Sequence, residues 1–375
     1  MSYTAFNEEW GYVRRMLPED LEGLARQHGA MRRRRGEVQD AETLLRLILL
    51  HVGGGLSLEQ TAVRAREQGL AKISAVALFK RLRTSLPWLQ ALTAELVRSM
   101  PGPRLVSLAG RHQLRVLDAT CIQEPGSTGT DWRLHYSLKL PELICDFFEI
   151  TDASGAEHLQ RLPVTTGDVV LADRIYSRRS GVAAMLKAGG EVVVRLLPSS
   201  FPLLKPKGQP CEVLPLLQKS LRKDGAILDQ AVAFEHEGQR YPMRLCAVRK
   251  SAAATETARR HARYERARKG GTVRETTLDL AAYVCVLTSL PTAVLSGAQI
   301  LQLYRCRWQI ELAFKRLKSL LDAGHLPKKD PPSCRAWMQA KVLIALLTDK
   351  LILESELFSP WGYPLLRGES LELLR

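Results

Sequence analysis

The chain has no apolar run long enough to span a bilayer; the longest, residues 44–52, is interrupted by Arg46. Its opening residues, MSYTAFNEEWGYVRR, are acidic and aromatic before they are basic, the wrong order for a secretory leader. Seven cysteines, scattered and odd in number, form no C-x-x-C pair. That spacing fits neither a disulfide framework nor a zinc ribbon, so reduced, mostly buried thiols in a cytosolic chain are expected. No His/Cys cluster has zinc-ligand spacing, and no glycine-rich loop resembles a nucleotide phosphate loop. Internal repeats and long low-complexity stretches are also missing. Acidic side chains are in deficit, with 39 Asp and Glu against 54 Lys and Arg and a net charge of +15.

Such an excess implies an anionic partner, with nucleic acid first in line. A solvated basic surface with no specific partner is the plain alternative. A membrane surface fits poorly, because no basic amphipathic helix carries an aromatic apolar face. At 375 residues the chain exceeds what one hydrophobic core ordinarily serves, so two or three domains are expected.

Residues 1–103 read as all-helical. Arg32, Arg33, Arg34 and Arg35 form a compact basic patch. Ser57 and Gln60 make a capping box, Gly69 stands where a helix would stop, and Ser74 can start the next helix. Helix, glycine-containing turn, helix is the outline of a helix-turn-helix, and Lys80, Arg81 and Arg83 could then face DNA phosphates. A helical hairpin with basic surface residues fits the same pattern.

From residue 104 the periodicity changes. Strands are predicted at 114–120, 132–140, 145–152, 168–177 and 191–197, which together suggest an α/β layer over residues 104–198. Residues 199–290 are expected to form a β-rich insertion domain, with strands at 230–236 and 241–248 and a basic arm containing Arg259, Arg260 and Arg263. A buried strand at 282–289 leads into residues 291–358, the second part of the core, whose closing helix at 334–357 is expected to pack on the central layer; residues 359–375 read as a tail.

Asp118 falls near the end of the first predicted strand and Asp173 at the end of the fourth. A lone Asp after a strand is ordinarily a cap or turn residue. Two of them acquire a second meaning beside residues 295–324, LSGAQILQLYRCRWQIELAFKRLKSLLDAG, which read as one long helix started by Ser296 and Gln299. Tyr304, Arg307, Glu311 and Lys318 would share one face of it, since offsets of three, seven and fourteen fall within roughly 60°. Three carboxylates, Asp118, Asp173 and Glu311, can hold two Mg²⁺ ions, with substrate phosphate oxygens completing the shell. The flanking cations then read as a phosphate clamp rather than as ion-pair partners. Trp308 is left between core packing and contact with DNA.

The segment YRCRWQIELAFKRLK, with Tyr304, Arg307, Glu311 and Lys318 in that spacing, resembles the signature of bacterial DDE transposases of the insertion-sequence-four family. LDAT around Asp118 and LADRIYS around Asp173 look like that family's two Asp motifs. The chain departs from the pattern at Ile175, where the family usually has Gly, and in a short tail, so a separate C-terminal dimerisation domain is expected to be missing. The resemblance implies an α/β, ribonuclease-H-like catalytic core interrupted by the β-rich insertion and preceded by the all-helical DNA-binding domain. It implies Asp118, Asp173 and Glu311 as catalytic metal ligands for two Mg²⁺ ions, with Mn²⁺ able to substitute. Tyr304, Arg307 and Lys318 would hold phosphates, Arg174 of the second motif would contact DNA, and Trp308 would press on an unstacked base, with Tyr283 a weaker candidate for that role. The implied partners are double-stranded DNA, as terminal inverted repeats and as target, and a second copy of the chain in a DNA-bound synaptic complex. Cut-and-paste chemistry through a hairpin, in the bacterial cytoplasm at the nucleoid, completes the expectation. A metal-dependent nuclease or resolvase on the same fold is an alternative, though simple hydrolysis needs no such cationic set. A catalytically silent DNA-binding derivative is another, although it would be expected to have lost an acid and all three are present.

Overall fold

The computed structural model describes residues 3–31, 38–99, 112–140, 144–268, 270–315, 317–318, 324, 326–327 and 330–356. The chain divides into two compact units, one of residues 1–102, 121–133 and 314–375, the other of residues 103–120 and 134–313.

In the first unit, six helices follow one another: α1 (Tyr3–Met16), α2 (Leu21–Gln27), α3 (Ala41–Gly53), α4 (Leu58–Glu67), α5 (Ala75–Thr84) and α6 (Leu86–Ser99). Their starts obey the polar caps legible in the sequence. Asp40 accepts from the Thr43 amide at 2.6 Å, Ser57 and Gln60 close their capping box, and Ser74 caps α5. The Arg32–Arg35 patch lies outside the described residues.

The second unit is built on a ten-stranded sheet. Its elements are β1 (Gln113–Ile122), β2 (Trp132–Leu140), β3 (Ile144–Asp152), β4 (Asp168–Ala172), α7 (Arg179–Lys187), β5 (Glu191–Arg195), β6 (Leu203–Leu204), β7 (Pro210–Cys211), α8 (Val213–Ser220), β8 (Ile227–His236), β9 (Gln239–Arg249), α9 (Ala252–Ala267), α10 (Glu275–Leu280), β10 (Tyr283–Thr288), α11 (Gly297–Arg305) and α12 (Trp308–Lys315). The strand order is β3-β2-β1-β4-β5-β10-β9-β8-β6-β7. β1, β4 and β5 run parallel, and β10, β9 and β8 continue the sheet antiparallel. β4 and the centre of β5 are fully buried, which is why DVVLA and VVV read as unbroken apolar runs. The β8–β9 hairpin turns at Glu237 and Gly238 with φ of 52° and 74°, the left-handed pair a two-residue hairpin requires.

Three expectations are corrected. Residues 199–290 do not form a layer of their own: β10 pairs along β5, and β9 and β8 follow, so this segment extends the central sheet. Pairing covers the apolar edge that β5 would otherwise expose. The closing helix α13 (Pro331–Glu356) belongs to the first unit, not to the central layer; it packs against α3, α5 and α6, where the Gln339 amide donates to the Thr93 hydroxyl at 2.9 Å. The single helix read over residues 295–324 is broken. The amides of Cys306, Arg307, Gln309 and Ile310 each bond the carbonyl three residues back, a 3₁₀-type turn between α11 and α12. No described helix is long and apolar enough to cross a membrane.

Candidate active site

β1 and β4 are parallel neighbours with Leu117 opposite Ala172. Asp118 and Asp173, each one residue further on, therefore stand side by side at the same level, where strands lie about 4.8 Å apart. β1 continues past Asp118 to Ile122, so this acid sits within the strand rather than at its end. Asp173 ends β4, and its carboxylate accepts from the Arg174 amide at 2.6 Å, capping a short 3₁₀ turn. It is thus a cap and a candidate ligand at once.

α11 brings the remaining groups. Its start is anchored on the sheet by Arg244 of β9, which donates to the carbonyls of Leu290 at 2.7 Å and Leu295 at 3.0 Å while pairing with Asp229 of β8. Gly297 fits there because a Cβ would lie 2.8 Å from the Cβ of Asp229. Tyr304 is buried, and its hydroxyl finds no acceptor among the described residues. Arg307 stands in the turn and points to both carboxylates. Its Nη1 meets Asp118 at 3.1 Å and its Nη2 pairs with Glu311 on α12. The reading of Arg307 as a cation without ion-pair partners is corrected here: it is the salt-bridge link between two of the three acids. The four-residue offset of Arg307 and Glu311 survives the helix break and brings the pair together.

The electrostatics follow from burial. Asp118 is only 16% exposed, and desolvation pushes its carboxyl from 3.8 up to about 6. Asp173 and Glu157 push in the same direction, while Arg307 and the Ala119 amide oppose them. Tyr304 is raised too, chiefly by burial. Glu157 was not legible as a site residue; a lone acid in GAEHLQR carries no pattern. Below the acids, Arg115 contacts Asp146 at 2.6 Å and Asp168 at 3.0 Å, all three nearly buried, tying β1, β3 and β4 together.

The donor set suits a hard divalent cation in type, since all the candidates are carboxylate oxygens. Asp118 and Glu311 also converge on one positive charge, the Arg307 guanidinium, which stands in for a cation between them. As they stand, no three acidic, histidine or cysteine side chains among the described residues are gathered closely enough to hold an ion. The residues fit the group in chemistry and charge.

The other predicted residues are dispersed. Trp308 is 50% exposed on α12, which removes the core-packing reading. Tyr283 is buried in β10, so it is withdrawn as a base-stacking residue. Arg174 and Ile175 are exposed beside Asp173. Lys318 is exposed and belongs to the first unit. On α5, Lys80 is exposed, Arg81 reaches the Ala30 carbonyl at 3.4 Å, and Arg83 pairs with Asp330 at 3.3 Å. Arg259 of α9 turns inward to the Leu278 carbonyl at 3.1 Å, whereas Arg260 and Arg263 lie on the exposed side of a helix with no buried residue.

The family comparison bears on the domain that carries these acids. Residues 150–347 fit the profile of the transposase DDE domain, a span that holds Asp173 and Glu311 and begins after Asp118. The chain belongs to the DDE transposases, whose domain implies a ribonuclease-H-like core and the use of divalent metal ions. It is similar along its length to insertion-sequence proteins of Escherichia coli. InsL, provisionally named a transposase of insertion sequence element IS186A, is 36% identical over 349 residues, covering 92% of this chain and 93% of that protein. The transposase of insertion sequence element IS421 is 35% identical over 350 residues, with the same coverage. The protein is thus an insertion-sequence transposase, and DNA is its partner.

Proposed function

We propose that this transposase cuts and joins the ends of its element by cut-and-paste transfer through a hairpin, with Asp118, Asp173 and Glu311 as the catalytic carboxylates. The observation that carries this reading is the level placement of Asp118 and Asp173 on parallel strands, with Glu311 drawn to Asp118 through Arg307. Two Mg²⁺ ions held by those carboxylates, or Mn²⁺ in their place, would neutralise charge on the attacking and leaving oxygens of an in-line displacement. The chain's own groups do the rest. Arg307 offers a two-pronged donor to a phosphodiester, and Tyr304 a hydroxyl without an acceptor among the described residues. Lys318 adds a positive charge, and Arg174 lies beside Asp173. Trp308 presents half its ring to solvent, where an unstacked base can lie on it. The helical residues 1–103 bind DNA through Lys80 and its neighbours, and α9 follows the backbone with Arg260 and Arg263. Two copies act together on the paired ends.

The test is cleavage of a labelled duplex carrying the terminal repeat, with Mg²⁺ and a target plasmid, for wild type and Glu311→Ala. Wild type is expected to cut and to join the 3′ end to the plasmid, and the variant to do neither. Equal activity in both removes Glu311 from the triad. Cutting without joining points instead to a nuclease.

A further inference from the structure

We propose that Arg307 is a latch on the metal site: in the DNA-free protein its guanidinium occupies the position of a cation between Asp118 and Glu311, and it leaves that position for a phosphodiester when DNA arrives. The inference rests on the reading of those acids as metal ligands.

Three observations carry it. First, Arg307 is the one group that touches both carboxylates among the described residues, and its side chain is only 18% exposed. A buried carboxylate such as Asp118 needs a positive partner, and either a guanidinium or a metal ion supplies one. An ion held by these two carboxylates would need the oxygens that the guanidinium now engages, so the two would compete. Second, Arg307 lies in the 3₁₀-type turn between α11 and α12 rather than inside a regular helix. A short tightened turn of this kind is where a chain can re-aim a side chain without unfolding its neighbours. Third, Tyr304 sits one turn before Arg307, and its buried hydroxyl is a donor without an acceptor among the described residues. Buried donors in folded proteins are ordinarily satisfied, so an orphan here marks the position of an acceptor oxygen that the described residues do not provide. A phosphodiester brings that oxygen and, in the same step, a bidentate partner for Arg307. Release of Asp118 and Glu311 then follows from DNA contact, and the carboxylates become ligands when there is a bond to cut.

The experiment titrates Mn²⁺ into the DNA-free full-length chain by calorimetry, for wild type, Arg307→Gln, and Arg307→Gln combined with Asp118→Asn or with Glu311→Gln. Removing a cation that donates charged hydrogen bonds to two ligands is expected to tighten Mn²⁺ binding about tenfold or more. The double variants are expected to lose that gain. Equal affinity of wild type and Arg307→Gln, or weaker binding by the variant, overturns the latch. Double variants that bind as tightly as Arg307→Gln would overturn instead the assignment of the acids as ligands. If Arg307→Gln fails to fold by circular dichroism, Arg307→Lys replaces it: a lysine reaches one carboxylate at a time, so tighter binding than wild type is expected and unchanged binding counts against the latch. A duplex carrying the element's terminal repeat should raise wild-type affinity toward that of Arg307→Gln, and no rise would refute release by DNA.

Discussion

Asp118 concentrates the energetic conflict of the site. Its carboxyl titrates at about 6 in the folded chain and near 3.8 otherwise, chiefly because burial disfavours the charge. Between those values the folded chain keeps a proton that the unfolded chain has released. Stability from this group is fully present below the lower value and is lost as pH rises through the higher one, by roughly 3 kcal/mol. Asp118→Asn keeps an oxygen for the Ala119 amide and removes the charge. It is expected to melt above wild type at about pH 8, with the gain gone by about pH 4. A scan of melting temperature against pH checks this, and a variant less stable than wild type at both ends would refute it. The sequence offered Asp118 as an acid in LDAT but not its pKa. That value depends on Glu157, Asp173 and Arg307, which lie 39, 55 and 189 positions away along the chain (157 − 118, 173 − 118 and 307 − 118).

Helices and strands behaved differently under sequence reading. Caps such as Ser57 with Gln60, Ser74, and Ser296 with Gln299 were legible because capping is a local hydrogen-bond arrangement. The break at Cys306 and Arg307 was not, because neither glycine nor proline marks it. The anchoring of α11 was likewise hidden. Arg244 and Asp229 lie on neighbouring strands and brace a loop that begins 46 residues after Arg244. Arg244→Met leaves Asp229 without its cation and the Leu290 and Leu295 carbonyls without a donor. It is expected to cost about 2 to 4 kcal/mol in urea denaturation. A change below about 0.5 kcal/mol, the range of ordinary surface substitutions, would remove the clamp from the account.

The charge of the full chain is read best through salt. With +15 overall, DNA affinity should fall steeply as salt rises. α9 is the clearest exposed basic element among the described residues. Replacing Arg260 and Arg263 together by Gln is expected to reduce the slope of log affinity against log salt by up to about 2, at about 0.9 per phosphate contact. An unchanged slope would place α9 away from the nucleic acid. Net charge and motif spacing pointed to the partner and to the three candidate acids, because composition and short spacings are properties of the chain before it folds. Sequence alone also fixed the caps, the strands around Asp118 and Asp173, and the four-residue step from Arg307 to Glu311. The tertiary structure decided what depends on distant neighbours. It drew residues 227–288 into the central sheet and moved α13 into the first unit. It exposed Trp308, buried Tyr283 and set Arg307 between two carboxylates. Burial and pairing between remote residues are made only when the chain packs, and no local pattern encodes them.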